Sequence, residues 1–393
     1  MPDNWNDTTV VLIPKVKKPE HIKDLRPISL CNVIYKLVSK VLANRLKKIL
    51  PSIISQTQSA FVPGRLILDN ILIAYELTHY LKRKTKGKGG YAAIKLDMSK
   101  AYDRVEWNFL RDMMLKLGFA KQWVDLVMTC VTTVKYRIRV NGELTDEFTP
   151  ERGLRQGDPI SPYLFLLCAE GFSALLEKAE EEGKIHGIRV CRGAPSVSHL
   201  LFADDSLILC KANEQEAEKL KELLKVYEEC SGQAINTDKS AVMFSVNTGE
   251  NSRRRVREIL RIRAETISEK YLGMPVYVGK SRTEVFAYLK ERVWQRIQGW
   301  KEKLLSKAGK EIMIKAVAQA VPVFVMGCFD ITKEICGQIG TLIAKYWWNN
   351  QDKDNSMHWL SWEKLVLPKE MGDLVSGISI PLTWQCWPNK DGG

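Results

Sequence analysis

Three aspartates stand where carboxylates could meet and hold metal ions. Asp97 ends the apolar run Tyr91–Asp97, and Asp204 and Asp205 interrupt the apolar stretch His199–Cys210. Carboxylates beside hydrophobic runs are costly to bury unless a cation or hydrogen bonds neutralise them. Such oxygen ligands suit Mg²⁺, and two ions about 4 Å apart can activate an attacking hydroxyl and stabilise the leaving oxygen in phosphoryl transfer. Asp is also favoured in turns, so the Asp-Asp pair alone leaves a plain hairpin turn open.

The sequence around these aspartates predicts the strands that would position them. Tyr91–Asp97 is typical of a buried strand, and His199–Cys210 predicts a strand, a tight acidic turn and a second strand. Shared metal ions require the strand ends to converge. We therefore expect the Cα atoms of Asp97 and Asp204 to lie within about 10 Å, because ligand oxygens sit about 2.1 Å from Mg²⁺.

The other segments mix strands and helices without strict βαβ alternation, so the predicted fold class is α+β. In the helix predicted for Val33–Leu50, we expect a lysine-bearing solvated face, an apolar buried face, and an end at Pro51. The predicted buried residues are Ile34, Leu37, Val38, Val41, Leu42, Leu46 and Ile49. Other predicted helices are Leu66–Lys82, Trp107–Leu117, Ser161–Glu182 and Glu214–Glu229, and other predicted strands are residues 9–16, Thr132–Val140 and Ala241–Phe244.

The charge balance points to a polyanionic partner. The 393 residues include 59 Lys and Arg against 46 Asp and Glu, a net charge of +13. Nucleic acid is the first expectation for such an excess, and a merely basic enzyme is the alternative. Nine scattered cysteines predict a reducing compartment. No signal pattern or membrane-length apolar run is present, so we expect an intracellular protein of the nucleus or cytoplasm, not secreted and without a membrane partner.

Three sequence blocks carry a resemblance to a known family. They are Ile94–Val105 (IKLDMSKAYDRV), Arg152–Phe165 (RGLRQGDPISPYLF) and Phe202–Asp205 (FADD). Leu25–Ser29 (LRPIS) and Ser231–Ser240 (SGQAINTDKS) match the same family in the same order. Together they resemble the reverse transcriptases of non-LTR (LINE-type), plant-like retrotransposons. The resemblance implies an RNA-directed DNA polymerase, a nucleotidyltransferase with a right-hand fold of fingers and palm and a helical thumb-like region.

The resemblance also implies roles for individual residues. Asp97, Asp204 and Asp205 would be catalytic and would hold two Mg²⁺ ions, or Mn²⁺, with the backbone carbonyl of Met98 completing one shell. Tyr102 would close the nucleotide pocket against a 2′-hydroxyl; plain core packing is its alternative. The remaining nucleotide-binding candidates are Lys15, Arg26, Gln156, Gly157 and Lys239.

The implied partners are an RNA template, a DNA primer and dNTPs, with the oligomeric state left open. The implied domains are residues 1–250 (fingers and palm), 251–345 (thumb-like) and 346–393 (a Trp-rich remnant). The cluster Arg253–Arg263 is interpreted as a boundary. The basic face Lys301–Lys315, with its interleaved tryptophans, would contact template–primer phosphates; a solvated amphipathic helix is its alternative.

The chain departs from the family pattern at both ends. We expect early fingers segments to be absent, which would leave residues 8–16 as a poorly supported edge strand and make primer extension weak. After Gly372 the sequence changes as if the reading frame had shifted, so residues 373–393 are expected to be dispensable. Two other functions therefore stay open: a catalytically dead RNA-binding remnant, and an intron-encoded or retron-like reverse transcriptase.

Overall fold

A computed structural model describes residues 2, 4–87, 89–265, 270–276, 278–279, 281–301 and 305–348. The chain forms two compact units, Met1–Leu272 and Gly273–Gly393. The three-part division expected from the sequence is finer than this and stays a prediction. The proposed irregular tail, residues 373–393, lies outside the described residues.

The first unit is a mixed α+β structure, which confirms the predicted fold class. Its strands are β1 Asp7–Pro14, β2 Leu25–Cys31, β3 Tyr91–Leu96, β4 Lys135–Val140, β5 Glu143–Leu144, β6 His199–Phe202, β7 Asp205–Lys211, β8 Ala241–Phe244 and β9 Lys270–Tyr271. Its helices are α1 Val33–Lys47, α2 Leu50–Ile53, α3 Ile67–Arg83, α4 Trp107–Lys116, α5 Lys121–Thr132, α6 Ser161–Glu181, α7 Glu214–Ser231 and α8 Glu250–Leu260, with a 3₁₀ turn at Ile22–Asp24.

One four-stranded antiparallel sheet, ordered β6-β7-β3-β8, carries the aspartates. Residues Ala92–Ile94 of β3 and Leu207–Cys210 of β7 are almost completely buried, so both faces of these central strands are covered. Their continuous apolar sequence is explained by this double burial. Helix α6, whose residues Leu164–Cys168 are also buried, packs against α4 and α7 in the same core.

A second sheet, ordered β2-β1-β4-β5, is formed by the N-terminal strands and the hairpin after α5. Strand β1 pairs antiparallel with β2 and parallel with β4, so it has a partner on both sides. The expectation that residues 8–16 form a poorly supported edge strand is therefore wrong. The reason is long-range pairing: β4 comes from a hairpin more than a hundred residues away, and the sequence of β1 alone cannot predict it.

Helix α1 buries only part of the apolar face predicted for it: Leu42 and Leu46 are buried as expected, but Ile34, Leu37, Val41 and Ile49 are exposed. Leu37 is 65% exposed and Val41 is 53% exposed, whereas Tyr35 and Ser39 are fully buried together with Leu42, Ala43 and Leu46. The cause is a buried carboxylate, Asp158, to which Tyr35 and Ser39 donate hydrogen bonds. Pro51 does not end this helix, because it lies in the first turn of the separate helix α2.

Four arginines of the cluster, Arg253, Arg254, Arg255 and Arg257, lie within helix α8, and Arg261 and Arg263 follow it. Arg253 and Arg257 both form ion pairs with Glu265, and Arg255 pairs with Glu214 of α7. Helices α7 and α8 also pack together inside the first unit. Arg253, Arg255 and Arg257 are thus paired with acidic residues of the first unit, and the boundary interpreted from this charge run stays a prediction.

The second unit begins with strand β10 Met274–Pro275 and continues as helices α9 Arg282–Lys301, α10 Lys307–Met313, α11 Ala320–Met326 and α12 Lys333–Trp348, with a π-helical turn at Ile314–Ala318. The Nζ of Lys307 donates to the carbonyl of Trp347 at 2.8 Å. Lys310 is buried with its Nζ 5.4 Å from the centre of the Tyr346 ring, and Lys315 pairs with Glu311. The expected basic face is therefore not a uniformly solvated row of lysines, because two of its members are drawn onto aromatic residues of α12.

Candidate active site

The strand register brings the three aspartates to one end of the sheet β6-β7-β3-β8. Leu96 of β3 lies opposite Ser206 of β7 in an antiparallel pair, so Asp97 follows opposite Asp205. Residues paired in this way have Cα atoms about 5 Å apart. Phe202 pairs with Asp205 across the β6–β7 hairpin, which leaves Asp204 in the two-residue turn beside them. The convergence expected from the sequence is therefore observed.

The negative charges of Asp97 and Asp204 affect the ionisation of Asp205. It is half-buried, and its pKa is raised mainly by that burial and further by the negative charges of Asp204 and Asp97. The ammonium group of Lys95 lowers the same pKa and offsets part of the effect. Asp97 is also half-buried, while Asp204 is exposed. The end of the sheet thus concentrates negative charge that a cation would relieve.

The segment Ser231–Ser240 holds the backbone around Asp97. The N–H of Asp97 donates to Ser240 Oγ at 3.2 Å, and its carbonyl accepts from the N–H of Asn236 at 2.8 Å. The N–H of Ser99 donates to the carbonyl of Ala234 at 2.8 Å, and the buried Met98 between them bridges to Ile235. Lys239, the residue of this segment predicted to bind nucleotide, is exposed. The segment itself contacts the backbone that carries Asp97.

The first residues of this segment contact the chain between Asp97 and helix α4. Gln233 Nε2 donates to the carbonyl of Ala101 at 2.8 Å, and Arg104 Nε donates to the carbonyl of Gly232 at 3.0 Å. The N–H of Glu106 donates to the carbonyl of Ser231 at 3.0 Å. Residues 97–106 are therefore fixed at both ends by a single neighbouring segment.

Tyr102 lies beside the carboxylates. Its ring stacks on Phe165 of α6, with ring centres 5.0 Å apart and planes 10° apart. The pKa of its hydroxyl is raised, first by burial and then by the negative charge of Asp204. The ring is thus held by the core on one face and lies next to the aspartate turn.

The loop Arg152–Gly157 joins this region to the second sheet. The N–H of Leu154 donates to the carbonyl of Tyr102, and the N–H of Gly153 to that of Val105, both at 2.8 Å. At the other end, the N–H of Ser29 in β2 donates to the carbonyl of Gln156 at 2.8 Å.

Two glycines permit this close approach. Gly153 has φ +93°, and a Cβ there would lie 2.8 Å from the carbonyl oxygen of Asp103. Gly157 has φ +111°, and a Cβ would lie 3.0 Å from the carbonyl oxygen of Ser29. Both positions therefore require glycine on conformational and steric grounds.

A buried ion pair that the sequence interpretation missed supports the same loop. Arg155 and Asp158 lie 3.1 Å apart, with side chains only 3% and 2% exposed. Asp158 accepts from Tyr35 and Ser39 of α1, and the guanidinium of Arg155 stacks 3.9 Å from the centre of the Tyr35 ring. Arg155 also donates to Asn6, Thr8 and the carbonyl of Cys130. Two opposite charges three residues apart in a glycine- and proline-rich apolar segment were the available signal.

The other predicted nucleotide contacts, Lys15, Arg26 and Lys239, are exposed. Lys15 donates to the carbonyl of Lys23 at 3.1 Å. Burial raises the pKa of Asp103, and the charges of Lys100 and Lys15 offset part of that rise. Arg26 is an exposed residue of β2 opposite Ile13. Within the described part of the chain, no contact joins Lys15, Arg26 or Lys239 to Asp97, Asp204 or Asp205. Their predicted roles would need substrate to connect them.

The carboxylate chemistry fits a divalent cation held by an incomplete set of protein ligands. Among the described residues, no group of three or more His, Cys, Asp or Glu side chains is arranged as a metal site. Mg²⁺ commonly takes only one or two protein carboxylates and completes its shell with water and substrate phosphates. Burial and the neighbouring carboxylates raise the pKa of Asp205, and a bound cation would offset both effects by stabilising the charged form.

No helix in the described residues is long and apolar enough to cross a membrane.

Comparison with known proteins places these motifs in a wider context. The family model described as "Reverse transcriptase (RNA-dependent DNA polymerase)" matches residues 13–276. The transposon TX1 uncharacterized 149 kDa protein of Xenopus laevis is 29% identical over 377 residues, which cover 95% of this chain and 27% of that protein. A Pol polyprotein from the type-1 retrotransposable element R2 of Popillia japonica is 28% identical over 210 residues, 53% of this chain and 28% of that protein.

The chain thus spans little more than a quarter of the length of these two relatives. An uncharacterized mitochondrial protein of Arabidopsis thaliana is 55% identical over 67 residues, 17% of this chain and 55% of that protein. Among solved structures, a telomerase from Candida albicans in complex with a fragment of telomeric RNA matches with a TM-score of 0.48 and 11% identity, over 89% of this chain and 66% of that one.

Proposed function

The chain belongs to the reverse transcriptase (RNA-dependent DNA polymerase) family, and from this we propose that it is the polymerase segment of a non-LTR retrotransposon that copies RNA into DNA. The right-hand polymerase fold expected from the sequence is the fold of this family. We propose that the sheet β6-β7-β3-β8 is its palm and that the sheet β2-β1-β4-β5 belongs to its fingers. The assignment of the second unit as a thumb stays a prediction.

The observation that carries the proposal is the meeting of Asp97, Asp204 and Asp205 at one end of the palm sheet. Reverse transcriptases in general use divalent metal ions. We propose that these three carboxylates and the backbone carbonyl of Met98 hold two Mg²⁺ ions, with Mn²⁺ as a substitute. When bound, the ions would supply activation of the primer 3′-hydroxyl and stabilisation of the departing pyrophosphate.

The neighbouring residues would position the substrates. Tyr102, fixed by stacking on Phe165, would fill the space that a ribose 2′-hydroxyl needs, and so would select deoxynucleotides. The loop at Gln156 and Gly157, held between β2 and the Tyr102 segment, would contact the incoming nucleotide and the template. Lys15, Arg26 and Lys239 would contact phosphate oxygens through their exposed charges.

The proposed partners are an RNA template, a DNA primer and dNTPs. The net charge of +13 favours such polyanions, and binding should weaken steeply as salt rises because counterions are released. We propose an intracellular location, in the nucleus or cytoplasm, where RNA and dNTPs are available.

Primer extension by the purified chain tests the function. The assay contains an RNA template annealed to a DNA primer, the four dNTPs and Mg²⁺, with Asp204→Asn as the inactive control. Template-dependent DNA synthesis by the wild-type chain supports the proposal. Hybrid binding without synthesis in either Mg²⁺ or Mn²⁺ would instead favour a catalytically dead RNA-binding remnant.

A further inference from the structure

We propose that Gln58 is a positioning residue for the turn that carries Asp204. The proposal rests on the polymerase function above, because it assigns Gln58 a part in setting the affinity of the metal-binding carboxylates. Gln58 lies in the connection between α2 and α3, outside every block that marked the active site in the sequence. Its side chain is 1% exposed.

The turn between β6 and β7 has an unusual conformation and a backbone donor that the hairpin does not use. Phe202 pairs with Asp205, so only Ala203 and Asp204 form the turn, and Ala203 has φ +53°. This left-handed region is unfavourable for alanine and persists only where neighbouring structure enforces it. In a two-residue turn the N–H of the first turn residue has no partner on the opposite strand.

Gln58 supplies that partner. Its Oε1 accepts from the N–H of Ala203 at 3.1 Å and from the N–H of Ala60 at 2.9 Å. Because both contacts are N–H donors, the amide cannot be flipped without placing its NH₂ group against them. The acceptor atom is therefore identified by its surroundings, and it touches the residue immediately before Asp204.

The backbone that carries Gln58 is itself fixed. Arg65 donates to the carbonyl of Gln58 at 2.6 Å and to the carbonyl of Ile54 at 2.8 Å. The N–H of Leu201 in β6 donates to the carbonyl of Thr57 at 2.8 Å, and the N–H of Ser59 returns a bond to Leu201 at 3.1 Å. Gln58 is therefore a short, rigid link between the α2–α3 connection and the aspartate turn.

The other amide atom has no comparable contact. Within the described residues, Nε2 of Gln58 is buried and has no hydrogen-bond partner. A buried unpaired donor is destabilising, so its retention is not explained by stability alone. The Gln58 amide thus forms hydrogen bonds only through Oε1 among the described residues, and that oxygen holds the turn.

Two substitutions separate the acceptor from the rest of the side chain. Gln58→Met keeps the length and removes the acceptor, whereas Gln58→Glu keeps the acceptor and replaces the unpaired NH₂ group with a second carboxylate oxygen. Glu216→Met is the control, because Glu216 is also buried and its carboxylate contacts the N–H of Lys211, at the opposite end of β7, and His186. Each full-length variant is compared with the wild type and with Asp204→Asn.

The first measurement is Mn²⁺ affinity in the absence of nucleic acid, by electron paramagnetic resonance titration. Only the binding that is lost in Asp204→Asn is assigned to the aspartate site and compared between variants. Gln58→Met should weaken it by about tenfold or more, the usual effect of losing a group that orients a metal ligand. Glu216→Met should stay close to the wild type, and Gln58→Glu should bind Mn²⁺ at least as tightly, because it keeps the acceptor and adds negative charge near the cation. Equal affinity in Gln58→Met and wild type overturns the proposal, as does an equal loss in Gln58→Glu or Glu216→Met.

The second measurement is the Mg²⁺ concentration that gives half-maximal primer extension, which should rise in Gln58→Met by a similar factor while the KM for dNTP changes little. If the wild-type chain binds Mn²⁺ through Asp204 but extends no primer, the polymerase function fails and the Mn²⁺ titration still decides the role of Gln58. If it extends primers and Gln58→Met has an unchanged Mg²⁺ requirement, the positioning role fails and the polymerase function stands.

Discussion

Asp97 and Asp205 face each other across the β3–β7 register, one position beyond the pair Leu96 and Ser206. The two carboxylates come from segments that are distant in sequence, and the charge of Asp97 contributes to the raised pKa of Asp205. This relationship places Asp205 at the start of β7 and Asp97 directly after β3, two central strands whose inner residues are buried. A site on such strands has little freedom to move, which suits a reaction that depends on positioning.

Asp204→Asn should abolish primer extension and leave hybrid binding nearly unchanged. The substitution removes a proposed metal ligand but no contact to phosphate, and loss of a negative charge cannot weaken attraction to a polyanion. Extension rates and hybrid dissociation constants are measured on the same preparation. Extension close to that of the wild type would remove Asp204 from the catalytic set.

Tyr102→Ala should relax the selection against ribonucleotides. Removing the ring opens space beside the sugar, so incorporation of CTP relative to dCTP should increase by about tenfold or more if a steric clash of at least ~1.4 kcal/mol is lost. Tyr102→Phe is the control, since it retains the ring that stacks on Phe165 and removes only the hydroxyl. Unchanged discrimination in an active Tyr102→Ala variant would mean that the residue only fills the core.

Asp158→Asn should destabilise the first unit by about 3 kcal/mol or more, because it leaves the charge of Arg155 buried without its partner. The free energy of unfolding is measured in urea. Adding Arg155→Met to the same chain should recover part of the loss, since the uncompensated charge is then gone. A double variant that is less stable than the sum of the two single changes would contradict the assignment of Arg155 and Asp158 as one coupled pair.

Stability should fall between about pH 6.5 and pH 4 through His199. Burial lowers the pKa of this fully buried histidine from 6.5 to about 4, and its ring contacts Ser173 Oγ at 2.7 Å and Thr57 Oγ1 at 3.0 Å. As pH falls, His199 is protonated near pH 6.5 in the unfolded chain but only near pH 4 in the folded chain. The stability is present above pH 6.5 and is lost as pH falls, by up to about 3 kcal/mol.

The comparison of wild type with His199→Gln tests this pH dependence. Urea unfolding at several pH values should give a smaller decrease in His199→Gln between pH 6.5 and 4. His21→Gln, which changes an exposed histidine, should behave like the wild type. Identical pH profiles for wild type and His199→Gln would show that other groups control acid stability.

Hybrid binding should depend steeply on salt and only weakly on the lysines near Tyr346. The net charge of +13 supplies non-specific attraction to phosphates. Lys310→Met should change affinity little, because Lys310 is buried against Tyr346, whereas it should lower stability. Hybrid dissociation constants are measured at several salt concentrations. A marked loss of affinity in a folded Lys310→Met variant would show that Lys310 contacts nucleic acid.

The sequence by itself determined the local elements and the identity of the chemical groups. The apolar runs predicted β3, β6 and β7 with Asp97, Asp204 and Asp205 at their ends, and the motif order indicated the family. These features follow from short-range patterns, since strand and helix periodicities are carried by neighbouring residues. The same reasoning predicted α3, α4, α6 and α7 with small errors at their ends.

Only the tertiary structure decided which distant groups meet. The apolar pattern of α1 predicted that Leu37 and Val41 face inward, but the buried Asp158 instead draws Tyr35 and Ser39 into the core. Gln58 holds Ala203 although 145 residues separate them, and no local pattern indicates that the two residues meet. A buried polar group must find a hydrogen-bond partner wherever the fold provides one, so such pairings are fixed by packing and not by sequence spacing.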